Sequence, residues 1–115
     1  MASGEYKLIN DEWEGTTHVL SVGERFFAFC KGTLYRVDTK DGAYQKLGDE
    51  YKVVAVTAAN GFIYEVDENG GLFKVNPDNG EYVKIADDYE GTTAIGFDGS
   101  RLVVFTKGKM YSVEP

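Results

Sequence analysis

Three aromatic residues spaced 38 positions apart, Trp13, Tyr51 and Tyr89, are the side chains in this sequence best suited to bind a ligand. Acidic, hydroxyl or lysine side chains lie close to them, and an aromatic ring can stack on a sugar ring while polar groups bind its hydroxyls. The predicted ligand-binding set is Trp13, Glu14, Thr16, Lys31, Tyr51, Tyr89, Glu90, Thr92 and Lys107. A second interpretation stays open, in which the rings pack in the core and hold a repeating structure in register.

The polar block Glu14–Thr17 distinguishes two parts of the chain from a third. It returns 76 positions later as Glu90–Thr93, whereas the segment between them has Lys52-Val53-Val54-Ala55 at the corresponding place. A block with a purely structural role should recur every time. Its loss favours a binding site near the first and last copies.

Catalysis and metal binding have little support in the sequence. With one histidine and one cysteine, the chain lacks the partners of most nucleophilic triads and metal cages. The Asp- and Asn-rich segments 38–42 and 76–80 lack the alternating carboxylates of a calcium loop and are typical of turns. We predict no catalytic residues, no metal site and no cofactor.

Charge and hydropathy limit the partners and the compartment. The net charge of −7 disfavours nucleic acid and anionic membrane surfaces. No apolar run is long enough to span a bilayer, and the first residues have no apolar signal core. A lone Cys30 is compatible with a reducing compartment, so we predict a cytoplasmic protein.

An internal repeat organises the 115 residues, which we predict to form a single domain, 1–115. Tyr6, Tyr44 and Tyr82 share the spacing of 38, and glycines 23, 61 and 99 and valines 37, 75 and 113 keep the same register. The repeats run over 6–43, 44–81 and 82–115. Together with the aromatic residues at 13, 51 and 89, these are four independent sets of residues that keep one spacing of 38, which chance does not explain well.

Each repeat is predicted to contain four short strands, which makes the chain all-β with twelve strands. In the middle repeat these are 44–47, 53–58, 62–66 and 72–75, with counterparts in the other two. Asn-Gly and Asp-Gly turns supply the positive φ angles that tight hairpins need. No segment shows a sustained apolar stripe at helical spacing.

The amino-acid sequences of the repeats resemble those of β-propeller blades. Gly32–Asp38 followed by Asp41-Gly42, and Gly71–Gly80, resemble the third strand and turn of quinoprotein-like and related propellers. The segment Ala58–Val66 is similar to the inner strand pair of such a blade. The resemblance implies three four-stranded antiparallel blades and brings no catalytic residues with it.

Three blades are too few to close a ring, since propellers typically have four to eight. We therefore expect half of a six-bladed β-propeller, completed by homodimerisation about a two-fold axis. The last blade lacks its fourth strand, and the strand predicted from Tyr6 to Ile9 could complete the last blade of the partner. The alternative is a monomeric β-trefoil, which also has three repeats of four strands.

The function predicted from these features is a non-enzymatic binding or interaction module with a glycan or a protein as ligand. One alternative is a carbohydrate-binding lectin with repeated sites, and another is a fragment or engineered piece of a longer propeller. A hydrolase or lyase in the central channel is the least favoured. It needs clustered His, Asp or Arg on the inner strands, where Val19, Val56 and Ile95 stand instead.

Overall fold

A computed structural model describes residues 4–5 and 7–115 of the chain. Eleven strands in this part form three antiparallel sheets. The strands are β1 Thr16–Val22, β2 Arg25–Cys30, β3 Thr33–Val37, β4 Tyr44–Gly48, β5 Val53–Ala59, β6 Phe62–Asp67, β7 Leu72–Val75, β8 Tyr82–Ala86, β9 Thr92–Phe97, β10 Leu102–Thr106 and β11 Lys109–Val113. The eleven predicted strands that follow residues 6–9 are each confirmed to within one residue at either end.

Every sheet is a meander of consecutive strands, which we call a blade. The first blade is β1-β2-β3-β4, the second is β5-β6-β7-β8, and the third is β9-β10-β11. The fourth strand of the first and second blades therefore comes from the following repeat, as the permuted order predicts. The sheets share no strand, which is the arrangement of propeller blades and not of the single barrel of a trefoil.

Tight turns of positive φ close the hairpins. Asn60 and Gly61 join β5 to β6 with φ of 52° and 82°. Lys31 and Gly32 join β2 to β3 with φ of 52° and 79°. Positive φ at both central residues is the mark of the type I′ turn, whose twist matches that of the flanking strands.

The expected strand from Tyr6 to Ile9 is the point at which the structure differs from the sequence prediction. Tyr6 lies outside the described residues, and residues 7–9 are not in a strand. A strand forms only beside a hydrogen-bonding neighbour, and residues 7–10 lie against the first blade without pairing to its sheet. The described part of the chain thus has eleven strands where twelve were predicted.

Two apolar layers between consecutive blades form the core. In the first layer, Phe27, Phe29 and Leu34 of the first blade pack on Ile63 and Val75 of the second. The second layer joins the second blade to the third and contains Ala59, Tyr64, Val66, Leu72 and Leu102. We name the side of a blade that meets the following blade its rear face, and the side that meets the preceding blade its front face. The strands β1, β5 and β9 approach one another along the inner edge of this stack.

Candidate functional site

Trp13 lies in an aromatic cluster on the front face of the first blade. Its ring meets Tyr35 and Tyr44 edge to face, with centroids 5.5 Å and 5.4 Å away. A cavity of about 310 Å³ opens beside this cluster. Its lining residues are Glu12, Trp13, Cys30, Lys31, Thr33, Tyr35 and Tyr44. Trp13 and Lys31 of the predicted set therefore meet in one place, with a carboxylate and a hydroxyl nearby.

Tyr51 takes the equivalent position between the first and second blades, where it is buried. Its ring packs against Phe29 at 5.3 Å, and its hydroxyl donates a hydrogen bond to the Gly80 carbonyl at 3.0 Å. Burial, together with the nearby Glu65 and Tyr82, raises the pKa of this hydroxyl to about 12. Tyr51 thus joins two blades, which is the packing role that the sequence left open as an alternative.

Tyr89 repeats this role between the second and third blades. It packs against the second apolar layer and meets Tyr111 edge to face at 5.8 Å. The three aromatic residues therefore lie at three successive blade positions, and the structure does not bring them into one site.

The block Glu14–Thr17 and its copy Glu90–Thr93 form a backbone turn before the inner strand. Thr16 Oγ1 donates to the Trp13 carbonyl at 2.8 Å, and Thr92 Oγ1 donates to the Tyr89 carbonyl at 2.6 Å. Thr92 is buried and also bonds the Thr106 hydroxyl at 2.8 Å. Both threonine hydroxyls therefore bond to groups of the protein itself, although Thr16 is exposed and Thr92 is buried.

The two lysines of the predicted set lie along the glycines of these turns. A Cβ on Gly15 would be 2.8 Å from Lys31 Cγ, and one on Gly91 would be 3.1 Å from Lys107 Cγ. The aliphatic parts of Lys31 and Lys107 therefore fit only because Gly15 and Gly91 have no side chain. This packing is a structural reason for the glycine of the block. Glu14 and Glu90 remain exposed.

The middle repeat lacks the block but keeps a backbone bond that the block makes in the first repeat, where the Lys31 N–H donates to the Gly15 carbonyl at 3.2 Å. The Glu68 N–H donates to the Lys52 carbonyl at 3.0 Å, and the Asp67 carboxylate accepts from the N–H groups of Asn69 and Gly71 at 3.1 Å and 2.9 Å. The bonds of Asp67 lie in the turn between β6 and β7, so the middle repeat differs at this neighbouring turn as well as at the block.

The rear face of the third blade is uncovered and carries the side chains that form the core elsewhere. Met110 and Phe105 are 69% and 44% exposed, while their equivalents in the first blade, Leu34 and Phe29, are 0% and 1% exposed. Among residues 4–5 and 7–115, the third sheet has no further sheet packed on this side. The rear face of the third blade therefore exposes apolar side chains at positions that are buried between blades in the first blade.

The front face of the first blade is uncovered in the same way. Val19 is 53% exposed there, and Phe26 and Val37 border a second cavity of about 420 Å³. Residues 7–10 close one side of this cavity. The chain therefore presents one open rear face and one open front face.

Glu65 is a feature that sequence reasoning missed. This glutamate is only 4% exposed, and its Oε2 has no hydrogen-bond partner among the described residues. It lies on β6 opposite Val56 and Phe73, on the front face of the second blade, where the other two blades have Ala28 and Val104. Burial, and then the charge of Asp67, raises the pKa of its carboxyl to about 8.

Within residues 4–5 and 7–115, no three His, Cys, Asp or Glu side chains come together as a metal site would require. The same residues include no helix of the length and hydropathy needed to cross a membrane.

No protein-family model matches the chain, and no curated protein matches its sequence. Solved structures do match. The N-terminal domain of Nup159, a β-propeller, superposes with a TM-score of 0.63 at 15% identity over 84% of this chain. A second match, from S. cerevisiae dbp5 bound to nup159, gle1, IP6 and ADP, has a TM-score of 0.63 at 14% identity over 84% of this chain. The chain spans 29% of the length of each matched structure, so the similarity places it among propeller-like all-β folds.

Proposed function

We propose that this protein is a non-enzymatic protein-interaction module, and that two copies join as a homodimer to form a six-bladed propeller. The observation that carries the proposal is the pair of open blade faces at opposite ends of the stack. The exposed Met110 and Phe105 belong to one, and the exposed Val19 belongs to the other.

The fit of these two faces is supported by the chain's own packing. Twice within the chain, a rear face packs on the front face of the next blade with its central side chains buried. The third rear face carries apolar residues at the same repeat positions, and the first front face is also apolar. In a dimer with a two-fold axis, the open rear face of each chain would pack on the open front face of the other, so no blade face would stay exposed.

Further partners of such a ring would contact the loops that precede the inner strands. We propose a protein as that ligand, and neither nucleic acid nor membrane, since the net charge is −7. In one matched structure, nup159 is bound to dbp5, which supports a protein partner for the fold. We place the module in the cytoplasm, where its unpaired Cys30 would stay reduced.

Light scattering coupled to size exclusion is expected to give a mass of two chains. A single-chain mass would contradict the homodimer, and a three-chain mass would change the ring to nine blades. A broad distribution of masses is the result expected of a piece of a longer propeller, whose open faces would associate without a fixed number.

A carbohydrate-binding lectin is the second candidate, because Trp13 borders the cavity of about 310 Å³ together with Glu12, Lys31 and Thr33. The homodimer and the lectin each require Trp13 for a different contact. Trp13 lies on the front face that a second copy would cover, and its equivalent Tyr51 is buried by the preceding blade. A sugar at Trp13 and a closed ring therefore exclude each other.

Replacing Trp13 by alanine tests the lectin candidate. Binding to a glycan array should be lost while cooperative unfolding is retained, because the ring would serve as a platform for a sugar. Tyr82→Ala is the matched control, since Tyr82 is an exposed aromatic residue that does not line the cavity. No glycan binding by the unaltered protein, or loss of cooperative unfolding in Trp13→Ala alone, would assign the ring to packing.

A further inference from the structure

We infer that residues 7–10 of one copy serve as the fourth strand of the third blade of a second copy, paired antiparallel with β11. This inference rests on the proposed homodimer and names the backbone contact that closes it. Its support comes from the edge of β11, from the position of residues 7–10, and from the turn glycines.

The outer edge of β11 lacks the neighbour that its equivalents have. β3 pairs with β4, and β7 pairs with β8, but β11 pairs only with β10 among the described strands. An unpaired edge leaves N–H and C=O groups free and is a template for a strand from another chain. The third blade therefore offers a place for one more strand.

Residues 7–10 already occupy the position of a fourth strand relative to the blade that follows it. In the second blade, a Cβ on Gly80 would lie 2.5 Å from the carbonyl oxygen of Leu47, which belongs to β4 of the preceding blade. In the first blade, a Cβ on Gly42 would lie 3.0 Å from Ile9 Cγ2, and Asn10 Nδ2 donates to the Gly42 carbonyl at 3.1 Å. Both glycines and both apolar residues are 38 positions apart. Ile9 thus lies where a preceding blade would place its fourth strand.

The repeat also fixes the register of the new pair. Phe73 and Lys84 are opposite each other in the second blade, as are Tyr35 and Lys46 in the first. The same repeat positions place Leu8 of one copy opposite Tyr111 of the other, and Lys7 opposite Ser112. Leu8 is exposed within its own chain, and in this register it would cover the exposed ring of Tyr111.

The turn between the second and third strands of each blade gives independent support. The Tyr51 N–H donates to the Gly32 carbonyl at 2.9 Å, and the Tyr89 N–H donates to the Gly70 carbonyl at 3.0 Å. The equivalent pair is Trp13 of one copy and Gly108 of the other. A Cβ on Gly70 would lie 2.6 Å from the Glu90 nitrogen, whereas one on Gly108 would meet nothing within 4 Å. The space that Trp13 needs is therefore open.

Disulfide trapping tests the register in a Cys30→Ser background, which removes the native thiol. One variant combines Leu8→Cys with Tyr111→Cys, and another combines Lys7→Cys with Ser112→Cys. Since directly opposite pairs alternate between two spacings, one of these variants has the closer Cβ atoms that a disulfide needs. Leu8→Cys with Ser112→Cys is the matched control, because a slip of one residue points the two side chains to opposite faces.

After oxidation, a non-reducing gel is expected to show about tenfold more covalent dimer in one of the paired variants than in the control, because only opposed Cβ atoms can be bridged. Light scattering of the reduced proteins is measured in parallel. A two-chain mass with equal trapping in all three variants would overturn the strand exchange and leave the ring standing. A single-chain mass would overturn the homodimer itself.

Discussion

Replacing Glu65 by valine is expected to raise the free energy of unfolding at pH 7 by about 3 kcal/mol. The carboxyl has an ordinary pKa of 4.5 in the unfolded chain and a pKa of about 8 in the fold. Between these values the folded state holds one proton more than the unfolded state, so stability falls by about 1.4 kcal/mol for each pH unit gained. Valine is the residue that the third blade has at this place, Val104.

The pH dependence identifies the cause of this effect. The gain from Glu65→Val should be smallest near pH 4.5, grow as the pH rises, and become constant above about pH 8, where the buried carboxyl is charged in the fold as well. Denaturant unfolding at fixed protein concentration across pH 4.5–9 measures it. Glu65→Gln serves as the matched control, since it keeps the size and removes the titration. A gain that stays the same across this range would contradict the buried titration.

In the proposed homodimer, replacing Met110 by aspartate is expected to convert the two-chain assembly into single chains. Met110 is exposed in the single chain, but in the ring it would lie in an apolar layer like Leu34. Burying an unpaired charge costs several kcal/mol, so we expect the dimer dissociation constant to rise at least about 100-fold. Analytical ultracentrifugation over a concentration series measures this constant.

Two further variants make the result specific. Lys109→Asp is the matched control, because Lys109 is adjacent on β11, is exposed and projects from the other face of the sheet. It changes the net charge more than Met110→Asp does and should leave the mass at two chains. Val19→Asp, on the open front face, should dissociate the dimer as Met110→Asp does. Dissociation by Lys109→Asp alone would place the interface elsewhere.

The sequence was sufficient to predict the strands because their pattern is local. Leu72–Val75 was predicted with the bounds that it has in the structure, and turns such as Asn60-Gly61 require positive φ wherever they occur. The permuted order of the blades also followed from the repeat. The strand predicted at residues 6–9 is not seen at residues 7–9, because a strand needs a hydrogen-bonding neighbour and no described strand pairs with this segment.

The candidate site was harder to predict because accessibility is set by packing between blades. Tyr51 has the same flanking residues whether it meets a ligand or Phe29, and only the position of the preceding blade decides. Glu65 was missed for the same reason. The middle strands of a stacked sheet are buried on both faces, so alternation no longer marks one face as solvated. A polar residue in such a strand is the signal that could have found it.

The origin of each fourth strand in the following repeat has a consequence for synthesis on the ribosome. The first sheet can close only after Gly48 has left the exit tunnel, and the second only after Ala86. Each of these two sheets is therefore completed only when the first strand of the next repeat has been synthesised, so the blades are completed in order from the amino terminus. If the strand exchange holds, the third sheet waits for a segment that another ribosome has made, so its completion depends on the local concentration of nascent chains.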